Sequence, residues 1–239
     1  MLPLPPDHFR CRLCGAPAEA FLTGTDGRRY QRCPRCAIIQ LDARQLPPPA
    51  EEAAQYRLHR NDPADPGYRR FVAQLALPLC QRLAASTEGL DYGCGPGSAL
   101  AALLREAGHQ VTLYDPLFAP GRAALERSYG FIACCEVAEH FHDPAGEFAR
   151  LDQLLQPGGW LAVMTCFQDD DAAFAGWHYR RDPTHVMFYR IESFAWLADD
   201  LGWQLELPAR NVALLRKPID GRQRLRQARL TTRGCDVHQ

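Results

Sequence analysis

From residue 88 onward, short apolar runs alternate with stretches in which apolar residues recur every third or fourth position. Residues 131–135, Phe131-Ile132-Ala133-Cys134-Cys135, form a continuous apolar run that suits a parallel strand buried on both faces. Residues 160–165 read as another strand. Leu100, Leu103, Leu104 and Ala107 share one face of a helix that Gly108 stops, and a strand follows over 110–115. Pro144 opens a further helix with Phe148, Leu151 and Leu155 facing inward, and Gln156-Pro157-Gly158-Gly159 closes it. Residues 191–201 carry a last helical pattern, and 203–207 with 211–216 form a terminal hairpin. Strands alternating with helices in this way predict an α/β, doubly wound sheet.

Ahead of this region the pattern is different. Pro47-Pro48-Pro49 reads as a stiff spacer, and two helical stretches, 50–59 and 68–83, are separated by Asn61-Asp62-Pro63 and Asp65-Pro66-Gly67. The expected organisation is a small module over 1–46, a linker and helical lead-in over 47–87, the α/β domain over 88–217, and an Arg-rich C-terminal arm over 218–239.

A chain of 239 residues with 46% hydrophobic content and a net charge of -1 suits one ordinary domain with a small appendage. It contains neither a run of eighteen apolar residues nor a signal-peptide pattern, so the expectation is a cytoplasmic protein without a membrane span. Every basic residue but Lys217 is arginine, a compositional bias that makes individual arginines weak functional signals. Asp169-Asp170-Asp171 reads as a solvated loop.

Composition changes the picture most through cysteine. Cys11-x-x-Cys14 and Cys33-x-x-Cys36 are separated by 18 intervening residues, the spacing of a zinc ribbon. Each pair aims two thiolates at one point, and four thiolates close a tetrahedral, structural Zn(II) site. The first 46 residues hold few large apolar side chains, so metal binding would supply folding energy that burial cannot. Disulfides are the competing reading, disfavoured by a reducing compartment. Cys80, Cys94, Cys134, Cys135, Cys166 and Cys235 have no ligand spacing and read as small buried side chains.

The densest chemical signal is Leu90-Asp91-Tyr92-Gly93-Cys94-Gly95-Pro96-Gly97. Asp115 ends the next strand, 18 residues beyond Gly97. Glycines let a tight turn approach a ligand closely, and an acid at the second strand end can accept hydrogen bonds from ribose hydroxyls. The spacing is G-x-G-x-G, unlike the dinucleotide fingerprint, and Asp91 beside it would repel phosphate but suit a cation. Here the chain resembles the class I S-adenosylmethionine-dependent methyltransferases, whose Asp/Glu-x-Gly-x-Gly-x-Gly motif is matched by Asp91, Gly93, Gly95 and Gly97. The resemblance covers about residues 88–216 and extends to the Leu-x-Pro-Gly-Gly turn at Leu155, Pro157, Gly158 and Gly159. It implies a Rossmann-like seven-stranded sheet with the last strand antiparallel, a loop that cradles the methionine part of S-adenosylmethionine, and ribose held by Asp115. Cys135 and Glu136, at a neighbouring strand end, join the expected cofactor site. Only residues 116–130 separate Asp115 from the next strand, so the third strand must be short or missing.

The acceptor side rests on two segments. Glu136, Glu139 and His140 would fall on one face if a helix began there, and two carboxylates with an imidazole can hold a divalent ion. Glu-Val-x-Glu-His is similar to a pattern in quinone-biosynthesis O-methyltransferases and small-RNA 3′-end methyltransferases, which implies Mg(II) or Mn(II) orienting acceptor hydroxyls. The alternative gives Glu136 to the cofactor, leaves Glu139 solvated and packs His140. Residues 176–189 are too long for a turn and too aromatic for a solvated loop. They read as a lid in which His185 completes the metal set or acts as base, and Trp177, Tyr179, Phe188 and Tyr189 wall the acceptor pocket.

The favoured function is methyl transfer to a small-molecule acceptor, at a hydroxyl, by direct displacement, with His140 and His185 as catalytic candidates. Two alternatives differ in class. One is RNA modification, in which Arg10, Arg12, Arg28, Arg29, Arg32 and Arg35 of the ribbon grip phosphates. The other is a non-catalytic binding protein of the same fold. Oligomeric state is not legible.

Overall fold

The computed structural model describes residues 9–58 and 61–219; the Arg-rich arm beyond 219, with Cys235, lies outside them. Three strands come first: β1 (Glu19–Thr23), β2 (Arg29–Arg32) and β3 (Ile39–Leu41), an antiparallel meander. Helices α1 (Pro49–Tyr56) and α2 (Pro66–Cys80) follow. Each starts on a proline, whose missing N–H is no loss in a first turn, and Asp65 caps α2 by accepting from the Gly67 N–H. Then come β4 (Glu88–Tyr92), α3 (Ala99–Glu106), β5 (Gln110–Tyr114), β6 (Tyr129–Cys135), α4 (Pro144–Leu154) and β7 (Leu155–Met164). The last elements are β8 (Met187–Phe188), α5 (Ile191–Leu201), β9 (Gln204–Ala209) and β10 (Val212–Arg216).

The central sheet has the order β5-β4-β6-β7-β10-β9. β5, β4, β6 and β7 are parallel, and β10 is antiparallel to both of its neighbours. This is the doubly wound α/β sheet with an antiparallel last strand that the pattern predicts. Among the described residues it has six strands rather than seven, because the third is missing. Residues 116–130 supply only the 3-10 turn Arg122–Leu125 and an isolated bridge from Asp115 to Ala119, which leaves β5 at the sheet edge.

Strand β6 shows why its sequence is apolar throughout. Phe131 and Ala133 pack with Leu75, Leu79, Leu100 and Leu104 of α2 and α3, whereas Ile132 and Cys134 face Phe148, Leu151, Phe194 and Leu197 of α4 and α5. The N-terminal meander shares this second core through Tyr30, Ile38, Ile39 and Leu41. Its sheet gains a fourth strand when β8 pairs antiparallel with β3. Too poor in apolar residues to build a core alone, the cysteine module borrows one. No helix among the described residues is long and apolar enough to cross a membrane.

Candidate active site

The carboxyl ends of β4, β5 and β6 open into a cavity of about 780 Å3. Its floor is the glycine loop. Gly93 has φ 79°, and a Cβ there would lie 2.6 Å from a Val137 methyl, so both backbone conformation and space demand glycine. A Cβ on Gly97 would lie 2.6 Å from the Asn61 carbonyl oxygen, because the lead-in segment crosses directly over the loop. Ser98 caps α3 by accepting from the Ala101 N–H at 2.8 Å, and its hydroxyl donates to Asp91. Burial pushes the Asp91 carboxyl up to about 6 against the opposing pull of that hydroxyl. Asp115 accepts from the N–H groups of Gly95 at 3.1 Å, Leu117 at 2.8 Å and Phe118 at 3.0 Å, tying the loop to the end of β5. Asp91, Asp115, Cys135 and Glu136 all line the cavity.

Glu136 sits in the left-handed region at φ 54° and accepts a hydrogen bond from the Tyr179 hydroxyl at 3.0 Å. Burial, reinforced by the charge of Glu139, pushes its carboxyl up to about 9. The expected helical face is not formed: residues Ala138–His140 make a single 3-10 turn, which separates Glu136 from the two residues that follow. The structure instead brings Glu139 and His140 to His185, with one donor atom of each within 4.8 Å of the others.

The orientation of these three groups is specific. His140 Nδ1 lies 3.0 Å from the Thr184 carbonyl oxygen, and His185 Nδ1 lies 2.7 Å from that of Tyr179. A carbonyl only accepts, so each Nδ1 carries the hydrogen and each Nε2 presents a lone pair. His140 Nε2 is 3.8 Å from Glu139 Oε1. Glu139 is fully buried, neither carboxylate oxygen is in hydrogen-bond geometry with a described residue, and the neighbouring Tyr179 and Thr165 hydroxyls only partly offset the upward push of burial on it. Burial raises its carboxyl and lowers the His185 imidazole. An unpartnered buried carboxylate facing two imidazole lone pairs, each ring fixed by a backbone carbonyl, is the donor chemistry of a divalent metal site.

The four N-terminal cysteines also converge. Cys11 and Cys36 Sγ are 3.5 Å apart, Cys14 and Cys33 Sγ 3.4 Å, and all four lie within 4.8 Å of one another as free thiols. Tetrahedral zinc with bonds of about 2.3 Å needs sulfur separations of about 3.8 Å, so the set fits that ion.

A further expectation changes. The lid aromatics do not wall the cavity: Phe188 and Trp177 pack on Phe174, which stands edge-on to Tyr30 of the ribbon at 5.2 Å. Two apolar surfaces from distant parts of the chain cover each other there, which removes more area from water than a solvent-facing pocket wall would. The ribbon arginines are likewise engaged internally. Arg12 donates to the carbonyls of Leu41, His142 and Val186, Arg29 pairs with Asp42, Arg32 pairs with Asp171, and Arg35 lies over Trp196.

The cavity's aromatic lining comes from Tyr56, Tyr68 and Phe71 of the lead-in helices, Tyr92 and Tyr114 at the strand ends, and Phe118 and Phe141 beyond them. Tyr56 stands edge-on to His140 at 5.2 Å, and Glu52 pairs with His142 at 2.9 Å. The sequence pattern assigns α1 and α2 to a linker. Tyr56, Tyr68 and Phe71, standing on otherwise Ala- and Leu-rich helices, are the only sequence signal for that role.

Residues 62–207, more than half of the chain, match the family model for a methyltransferase domain. A ubiquinone biosynthesis O-methyltransferase of Klebsiella pneumoniae is 26% identical over 125 residues, 51% of this chain and 52% of that protein. The biotin biosynthesis bifunctional protein BioCD of Bordetella avium is 32% identical over 128 residues, 45% of this chain and 26% of that protein. The chain therefore spans about half the length, or less, of the curated relatives it matches. Among solved structures, a 1,6-didemethyltoxoflavin-N1-methyltransferase of Burkholderia thailandensis superposes with a TM-score of 0.46 at 18% identity, covering 84% of this chain and 100% of that one. With the sheet order, the glycine loop and the match over 62–207 in agreement, the chain belongs to the methyltransferase-domain family, in the class I S-adenosylmethionine-dependent group.

Proposed function

We propose that this protein transfers the methyl group of S-adenosylmethionine to a hydroxyl of a small-molecule acceptor by direct displacement. The observation that carries this reading is one cavity onto which both the glycine loop and the Glu139, His140 and His185 cluster open. Displacement at a sulfonium methyl needs an aligned acceptor and removal of a hydroxyl proton, and little covalent machinery. Asp91 and Asp115 would hold the cationic and ribose parts of the donor. His185, kept neutral by burial, would take the acceptor proton at Nε2 or serve as a ligand. Glu139, His140 and His185 fit a divalent ion that, when bound, lowers the pKa of the acceptor hydroxyl. Two imidazoles with one carboxylate favour Mn(II) over Mg(II). Glu136 stands aside from that set, bonded to Tyr179, and belongs with the donor.

Cys11, Cys14, Cys33 and Cys36 would hold a structural Zn(II), in a ribbon over residues 1–46 joined to a methyltransferase domain over 88–217. We place the protein in the cytoplasm, where such thiols stay reduced. The O-methyltransferase relatives support the choice of a hydroxyl. Calorimetry with S-adenosylhomocysteine should show binding, and catechol-type and polyol acceptors should be methylated in a chelator-sensitive manner. Absence of binding at millimolar ligand would remove the enzyme reading, and chelator-resistant turnover would remove the metal.

A further inference from the structure

Residues 182–186 carry His185 and have no regular structure, so their backbone carbonyls need donors from elsewhere. Ribbon side chains supply most of the side-chain donors, beside the N–H groups of His185 and Leu41, which reach the Asp182 and Val186 carbonyls. Arg28 Nη1 donates to the Asp182 carbonyl at 3.2 Å, and Nη2 to those of Pro183 at 3.4 Å and His185 at 3.0 Å. Arg12, inside the first Cys-x-x-Cys turn, donates to the Val186 carbonyl at 3.0 Å. The remaining carbonyl, that of Thr184, accepts from His140 Nδ1. Arg28 also reaches the Arg180 carbonyl at 2.9 Å, one residue after the Tyr179 carbonyl that orients the His185 ring.

From this pattern we infer that Arg28 is a positioning residue for the acceptor site: its guanidinium fork clamps the 180–185 backbone and thereby fixes the place and tautomer of His185. The inference rests on the proposed role of His185. It makes the cysteine module part of the acceptor site, rather than an appendage for an outside partner. Arginine suits the task because a rigid, planar fork serves several carbonyls at set angles, whereas an ammonium offers a mobile point charge. The ribbon's second route to the same segment is backbone pairing, β3 with β8 and the Leu41 N–H with the Val186 carbonyl at 2.9 Å. The segment therefore remains attached when the clamp alone is removed.

The test uses the zinc-loaded full chain and three variants: Arg28→Met, Arg28→Lys and Arg35→Ala. Nitrogen-15 NMR of the histidine side chains, with the His185 signals assigned by their loss in His185→Gln, reports the ring tautomer without turnover. In the wild type, His185 should show a single Nδ1–H tautomer. In Arg28→Met it should average between tautomers, with S-adenosylhomocysteine affinity within about twofold of wild type and Mn(II) affinity reduced by about tenfold or more, the size of a lost outer-sphere contact. Arg28→Lys should fall between the two and serves as the test if Arg28→Met does not fold. Arg35→Ala, which loses a contact with Trp196, should leave the ring signature unchanged. An unaltered His185 signature in both Arg28 variants, or an equal change in Arg35→Ala, would overturn the inference. If the wild type takes up no Mn(II), the metal reading falls while the ring signature still decides the role of Arg28.

Discussion

The two ends of the cavity are built on different plans. At the donor end, polar contacts join near neighbours in sequence: Ser98 and Asp91 are 7 residues apart, Gly95 and Asp115 are 20. At the end proposed to receive the acceptor, His140 and Thr184 are 44 residues apart, and Arg28 and His185 are 157. The donor end is one contiguous strand, loop, helix and strand, and its polar groups meet backbone N–H donors that the same unit supplies. The acceptor end exists only once the ribbon, the strand-end turn after β6 and the 174–189 segment have packed together. Local units can persist while a distant one opens, so damage to the ribbon should separate the two ends functionally.

The strongest test of that contrast removes one thiolate of the four-cysteine set. Cys36→Ser should abolish zinc uptake and lower methyl transfer by about a hundredfold or more, the loss expected when proton removal is no longer assisted. S-adenosylhomocysteine affinity should stay within about threefold, a tolerance set well below the several kcal/mol of a lost site. Parallel loss of cofactor binding, measured by calorimetry beside zinc analysis, would show that the two ends are not independent.

Glu139→Met acts at the acceptor end alone. It should eliminate Mn(II) uptake and chelator-sensitive turnover, yet stabilise the metal-free fold by about 1–3 kcal/mol, because a buried carboxylate without a partner is replaced by an apolar chain. Denaturant unfolding in chelator gives the sign. Destabilisation would mean that the carboxylate is satisfied in the absence of metal.

At the donor end the Asp91 carboxyl is raised from 3.8 to about 6 in the folded protein. Its contribution to stability is complete below the unfolded value and is lost as pH rises through the folded one, a fall of about 3 kcal/mol at most for a two-unit shift. Asp91→Asn should flatten that part of the pH–stability profile between about pH 4 and 7, while weakening binding of the cationic donor. An unchanged profile would place the charge nearer to water than the structure does.

Gly97→Ala touches neither a titrating nor a ligating group and should weaken cofactor binding by about 1–3 kcal/mol, from the clash of its Cβ with the Asn61 carbonyl. Acceptor-side Mn(II) affinity should not move. If it does, strain passes between the two ends through the lead-in segment.

Legibility in the sequence followed the same division. The apolar run 131–135, the helical face of Leu100 and Leu104 and the glycine stop at 108 are consequences of period and turn chemistry, and each became the element expected of it. The shortness of 116–130 announced a third strand that is short or missing, and it is missing, since no strand with its crossover fits that length. The pairing of Glu139 and His140 with His185, and the exclusion of Glu136 from it, had no periodic signal. A left-handed residue at 136 and a 3-10 turn replaced the α-helical geometry that would have put Glu136, Glu139 and His140 on one side. Trp177 and Phe188 misled for a related reason: an aromatic segment beside a strand end can face a ligand or another core, and only the ribbon's arrival decided which.

By itself, then, the sequence determined the α/β class, the glycine loop with its flanking acids, the four-thiolate spacing and the absent strand. All of these depend on residues close together in the chain, where backbone geometry and spacing leave few alternatives. Tertiary structure alone decided that the ribbon completes the second core, that its arginines turn inward to carbonyls of the His185 segment, and that tyrosines of the lead-in helices line the cavity. Those outcomes depend on which distant apolar faces and unpaired carbonyls find each other, a choice set by burial and hydrogen-bond satisfaction over the whole molecule.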